Sequence, residues 1–419
     1  MFNRIRWQRG DLWRHADFLN VWSAETISAF GGQISTFAIP LIAAVTLDAS
    51  PLEMGILAAA GRAPQLALGF IAGAWVDRIP RKPIMVVTDL GRMLASAIIP
   101  IAALNGNLGF AVLLTVALLT GMQSVFFGAA WAAILPGLVG KAHLTDATSK
   151  LMGSASLAQV LGPALGGLIV GTVGGPEAMW IPVVTFGASA WFLWRIRKPE
   201  ARPDRTKSAT SMWMEVREGL VELWREPVVR ALMNSAIVLD FGGFIFLSVY
   251  VLFMTHDLGL SSQGIGLVYA SGGVGALIGT VIAPMVARRF GVGASILIGA
   301  AAFGLANLPV PLAFYFPDIA LPAVVFAETA AWMSLMIFNV NRFALRQAIT
   351  PDQLRGRIAA SSTTMISTAA MLGSLAGGII AEIFSVHFAL YVGIVIMAMA
   401  AIWVWRSPVP GIVDFPDDI

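Results

Sequence analysis

Residues 108–136 run without a single charged side chain. A stretch that long and that apolar belongs in hydrocarbon, because a helix rising about 1.5 Å per residue needs roughly 20 such residues to cross about 30 Å of bilayer core. The pattern recurs along the chain. Apolar runs and the breakers between them place spans at about residues 17–46, 52–75, 83–104, 108–136, 151–173, 177–196, 230–255, 262–287, 292–314, 319–343, 358–382 and 386–405. Composition agrees: 57% of the 419 residues are hydrophobic and 12% charged, outside the range of soluble domains. The runs lack period-two alternation, which excludes a porin-like barrel. The expected fold class is an all-α membrane protein of twelve transmembrane helices.

Lysine and arginine test that layout, since basic residues are retained in the short loops on the cytoplasmic side. Twelve spans with the N-terminus inside put every one of the 27 basic residues except Arg62 and Arg92 at the cytoplasmic side. Arg342, at the end of the tenth span, and Arg346, Arg355 and Arg357 beyond it fall there together. The opposite loops, around Asp48, Asn105, Glu177, His256, Asp318 and Ser385, hold no lysine or arginine. Both termini are therefore expected in the cytoplasm. The N-terminus is basic and tryptophan-rich but has no short apolar core with a cleavage site, so it reads as a retained interfacial segment. The net charge of +3 follows from this bias and does not argue for nucleic acid.

The longest hydrophilic segment splits the chain into two sets of six spans. In its second part, Trp213, Val216, Leu220 and Trp224 form one helical stripe, as in a helix lying on the membrane surface. The expected organisation is an interfacial N-terminus (1–16), a six-helix bundle (17–196), a linker with an amphipathic helix (197–229), a second six-helix bundle (230–406) and a cytoplasmic tail (407–419). A repeat links the halves: "LGPALGGLI" (Leu161 to Ile169) in the fifth span and "LGSLAGGII" (Leu372 to Ile380) in the eleventh. Two pseudo-symmetric six-helix bundles are the architecture of a rocker-type secondary transporter, with its site between the halves near the midplane.

The loop after the second span, "GAWVDRIPRKP" (Gly73 to Pro83), resembles the signature loop of the major facilitator superfamily. Gly73, Asp77, Arg78, Arg81 and Lys82 match, and Pro80 stands where the family has glycine. An acid at a span end can accept from loop arginines and from helix N-terminal amides, so the resemblance implies a cytoplasmic gate. Asp89 and Arg92, three residues apart on the third span, could complete it. In the second half the corresponding stretch has Ala287 in place of the acid. "GPALGG" in the fifth span (Gly162, Pro163, Gly166, Gly167) resembles the antiporter motif of drug-exporting members, with Ala158 and Ser149 where that pattern has upstream glycines. The tract from Phe18 to Ala43, with "AWAAILPGLV" and "ITPDQLRGRI", resembles the branch that holds bacterial macrolide efflux pumps and the enterobactin exporter. The resemblance covers nearly the whole chain. It implies outward export of a small amphiphilic compound, of drug or siderophore type, across a bacterial inner membrane in exchange for protons.

Ionisable groups near the midplane cost roughly 2.5–3.5 kcal/mol each on insertion scales, so each is a functional candidate. Glu25, Arg62, Asp240 and Glu328 qualify. Glu25 and Arg62 sit at similar depth on adjacent spans, which allows an ion pair; Asp240 and Glu328 show no basic partner in their own half. Gln33, Gln65, Gln159 and Asn339 could line a cavity or join helix to helix. No catalytic group, cofactor or metal is expected. The chain lacks cysteine, its four histidines fall at or beyond span ends, and it has no glycine-rich nucleotide loop ending in Lys-Ser/Thr. The partners expected are a small-molecule substrate, protons and membrane lipid, the chain acting as a monomer. Uptake of a small nutrient and a non-transporting membrane sensor are the alternative readings.

Overall fold

The computed structural model describes residues 11–76, 78–140, 143–198 and 224–415. Residues 1–10 of the N-terminal segment, Asp77 of the signature loop, and residues 199–223 of the linker with most of its amphipathic stripe lie outside the described residues. The described chain is helical. The helices are α1 (Ala16–Leu41), α2 (Pro51–Ala60), α3 (Ala63–Val76), α4 (Arg81–Leu104), α5 (Phe110–Val139), α6 (Leu144–Val173), α7 (Trp180–Trp194), α8 (Pro227–Leu252), α9 (Ser262–Phe290), α10 (Val292–Ala306), α11 (Ala320–Ile349), α12 (Asp352–Ile383) and α13 (Val386–Trp405). Among the described residues, ten helical segments are long and apolar enough to cross a membrane. The shorter α2, α3 and α7 do not reach that length, because the expected second span breaks at Gly61–Arg62 and α7 has 15 residues.

Local chemistry sets these boundaries. Ser50 and Glu53 form a reciprocal capping box at the start of α2, which satisfies two otherwise unpaired amides. Ser261 and Ser385 cap α9 and α13 with their side chains. The break between α2 and α3 falls just ahead of Pro64, whose missing N–H suits the first turn of a new helix. Gly174 ends α6 at φ +102° and Gly291 ends α9 at φ +88°, a backbone region open to glycine at little cost. Both α1 and α8 finish in a wider π turn, at Ile42–Thr46 and Phe253–Asp257.

Helices α1 and α4–α7 pack largely on one another, as do α8–α13, with two seams between the sets: α6 against α9 and α2 against α12. Core packing differs along the long axis. At the end whose loops lack lysine and arginine, one continuous core takes residues from both sets, including Leu41, Ile42, Met54, Leu113, Tyr250 and Phe253. At the basic end the cores are separate. Val21, Met85, Phe127 and Leu193 form one cluster and Phe18, Leu135 and Leu151 another, both within α1–α7. Leu232, Ile296, Phe338 and Val404 form a third, and Val229, Met233 and Ile358 a fourth, both within α8–α13.

Candidate functional site

Between the two helix sets lies a cavity of about 700 Å³, capped on one side by the shared core. Its wall draws on both sets, mixing Phe37, Phe246, Tyr269 and Met397 with a few polar groups. Of the sequence candidates, Arg62, Asp240, Glu328, Gln33, Gln159 and Asn339 all reach this wall. Glu25 and Gln65 do not form part of it.

Glu328 is 5% exposed. Its Oε2 accepts from the Tyr250 hydroxyl at 3.0 Å and its Oε1 from the Trp332 indole at 2.8 Å. Tyr269 stands 6.1 Å from Tyr250, and Phe37 of α1 meets Tyr269 edge-on at 5.7 Å. This acid is held by neutral aromatic donors, in a setting whose ring faces also suit a cation.

Asp240 is placed differently, and two expectations need correction here. The acid does have a basic neighbour in its own half: Arg342 is within electrostatic range, and Arg62 approaches from the other set. Arg342, expected at the cytoplasmic end of the tenth span, lies well inside α11, which runs 30 residues to Ile349. Its guanidinium donates to Asn339 Oδ1 at 3.1 Å. Arg62, at the break between α2 and α3, stacks at 3.8 Å over Phe244 of α8. The charged neighbour of Arg62 is thus Asp240, and no ion pair joins it to Glu25.

Glu25 belongs to a second cluster. Arg92 donates to Asp89, the other Asp89 oxygen accepts from Ser189 of α7 at 2.6 Å, and Ser28 of α1 also faces that carboxylate. The Arg92 guanidinium lies between the Phe127 and Phe186 rings, at 4.2 and 4.7 Å. Glu25 is in electrostatic range of both Asp89 and Arg92, and its Oε2 is buried without a hydrogen-bond partner. Asp89 and Arg92 therefore sit inside the α1–α7 set, 0% and 8% exposed. Of this cluster, Arg92 and Phe186 reach the cavity wall.

A family model described as a transmembrane secretion effector matches residues 12–415. The chain belongs to this family of major facilitator transporters. It is 27% identical over 403 residues to the multidrug efflux pump Tap of Mycolicibacterium fortuitum, covering 93% of this chain and 95% of that one. The Tap pump of Mycobacterium tuberculosis is 28% identical over 384 residues, 87% of each chain. In fold the chain is similar to a bacterial homologue of the iron transporter ferroportin in its inward-facing state, with a TM-score of 0.76 at 17% identity, over 93% of this chain and 98% of that one. Family and relatives are transporters and not enzymes.

In this chain the remaining motif residues divide into two groups. Around the signature loop, Lys82 donates to the Ile196 carbonyl at 2.6 Å, which ties the start of α4 to the end of α7 within one set. Arg78 is exposed, Arg81 lies half-buried in the first turn of α4, and Gly73 has open space where a Cβ would stand. The glycines of "GPALGG" line helix contacts. A Cβ on Gly162 would meet Gln33 at 2.5 Å and one on Gly166 would meet Phe37 at 3.0 Å, both on α1. A Cβ on Gly167 would lie 2.6 Å from the Ser262 carbonyl and 2.7 Å from Gly266, across the seam on α9. The matching stretch of α12 repeats the arrangement: Gly373 and Gly377 abut α8, and Gly378 faces Pro51 and Gly55 of α2 across the other seam. Pro163 faces the cavity.

Sequence reasoning missed Tyr250, Trp332, Phe244, Arg342 and Ser189. Trp332 had a readable signal, lying four residues after Glu328 on one helix face. Tyr250, 78 residues from its partner, had none.

Proposed function

We propose that the protein is a secondary active exporter. It moves a small amphiphilic compound, of drug or siderophore type, outward in exchange for protons by alternating access. The observation that carries this reading is the cavity between the helix sets, sealed at the lysine-free end by a shared core and flanked at the basic end by cores that each belong to one set. Basic loops mark the cytoplasmic face, so the conformation described corresponds to a cavity poised to load from the cytoplasm. Counting the broken pair α2–α3 and the short α7 as crossings gives twelve spans in two six-helix bundles, with both termini cytoplasmic in a bacterial inner membrane and the monomer as the working unit. The aromatic and methionine wall suits bulky apolar ligands. Asp240 and Glu328 supply two different polar contacts for them. The efflux pumps among its relatives support the outward direction.

Inside-out vesicles energised to an acidic interior, with a pH-sensitive dye, test this. A panel of lipophilic drugs and siderophores is added, and export by proton exchange requires that at least one compound releases protons from the vesicles. If labelled compounds equilibrate across the membrane while none releases protons, facilitated transport replaces antiport.

A further inference from the structure

We infer that the exchanged proton is held outside the substrate cavity, on Glu25, in the cluster that this acid forms with Asp89 and Arg92. The inference rests on the antiport reading above and assigns its proton site. Two carboxylates share one guanidinium within the α1–α7 set. Both acids ionised would leave a net negative charge in low dielectric, and the cluster becomes neutral when it holds one proton. Asp89 is the poor candidate for that proton, because Arg92, Ser189 and Ser28 already engage its carboxylate. Glu25 is the good one: its Oε2 is buried and accepts no hydrogen bond.

Among the described residues, Asp89 and Arg92 are the charged groups in range of Glu25. Helix α5 carries no charged residue and α7 none, while on α6 Asp146 and Lys150 pair with each other. On α1 itself, Asp17 accepts from the backbone amides of Arg197 and Lys198. Glu25 lies on the same face of α1 as Thr36 of the cavity wall, about 16 Å nearer the basic end at about 1.5 Å per residue. The antiport reading requires its proton to leave on that side in the conformation described.

Arg92 supplies the link to substrate. It forms part of the cavity wall and also faces Glu25, so a ligand that shifts its guanidinium changes how firmly the proton is held. The balance is simple: Glu25–COOH becomes Glu25–COO⁻ and one proton leaves to the cytoplasmic side as substrate loads. Asp240 and Glu328 are then left for recognition.

Infrared difference spectroscopy of the purified protein tests the assignment without a known substrate, by following the carbonyl band of protonated carboxylic acids as pH is varied. Glu25→Gln should remove one titrating band that Asp240→Asn and Glu328→Gln each leave in place. Glu25→Asp, which keeps a carboxyl, should retain it, and Arg92→Gln should change the pH at which it disappears. In the vesicle assay, a compound that releases protons with wild type should release none with Glu25→Gln. A full set of bands in Glu25→Gln, or proton release undiminished in that variant, overturns the inference. If wild type itself releases no proton with any compound, the antiport reading fails instead, and the infrared result still decides whether Glu25 holds a proton.

Discussion

The two ends of this molecule are built from similar helices and joined in opposite ways. At the lysine-free end, apolar side chains from both helix sets share one core, and the polar contacts seen between the sets gather there. His256 Nε2 is 3.1 Å from the Ala44 carbonyl and 3.7 Å from Asp48, and the Leu52 amide donates to Glu382 at 3.1 Å. At the basic end each core stays within one set, and the described bond of Lys82 is also internal to its set. The difference shows how a rocker can be poised. One end is sealed by packing that brings backbones close, while at the other each set keeps its own core.

The largest expected effect comes from prising the sealed end apart. Gly167→Val or Gly378→Val would drive a side chain into backbone across a seam where a Cβ already lies 2.6 Å and 2.8 Å from its nearest neighbours. Overpacking of this kind costs about 1–3 kcal/mol, roughly a ten- to hundredfold shift in the balance between conformations. Transport should fall by that factor, and labelling of cysteines placed in the sealed core should rise. If Gly167→Val transports normally, the seam does not set the balance.

Next comes the cavity. Asp240→Asn leaves Arg62 and Arg342 facing each other across the space without the acid between them. Transport of any identified substrate should drop by about tenfold, near 1.4 kcal/mol, with expression unchanged. Charge reversal by Arg62→Glu should be worse than Arg62→Gln. Equal rates in those two variants would mean that the charge on Arg62 plays no part.

A smaller effect is expected at His256. Replacing it by alanine removes one polar contact between the sets, a loss of about 0.5–1.5 kcal/mol. The population open at the lysine-free end should rise about two- to tenfold. Smallest is Lys82→Ala, which removes its bond to the Ile196 carbonyl inside one set: about 1 kcal/mol or less of stability, read as a small drop in melting temperature. An unchanged melting temperature would mean that this bond adds nothing to the fold.

Much of this contrast was legible in the sequence and some of it could not be. The sidedness of lysine and arginine was plain, because it reflects a rule about loops that needs no tertiary contact. The repeat carrying Gly167 and Gly378 was visible too, though the sequence did not say that each would face a glycine of the other helix set. Helix ends were read too short. A 30-residue helix spans about 45 Å, well beyond the hydrocarbon, so Arg346 and Lys150 lie within helices whose apolar runs stopped short of them. The Glu25–Arg62 pairing was reasoned from equal depth alone, and depth says nothing about rotation about the helix axis. The break at Gly61–Arg62 had a signal in Pro64 that the surrounding apolar run obscured.

The most direct test of alternating closure is a pair of distances measured by pulsed electron paramagnetic resonance. The native chain has no cysteine, so spin labels can be placed at will: at Asn107 and Asp318 for the lysine-free end, and at Ile79 and Phe290 for the basic end. The account predicts opposite changes when substrate and pH are varied, the basic-end distance shortening as the other lengthens. If both distances move together, or neither moves while transport continues, the two ends do not exchange roles and the account is wrong.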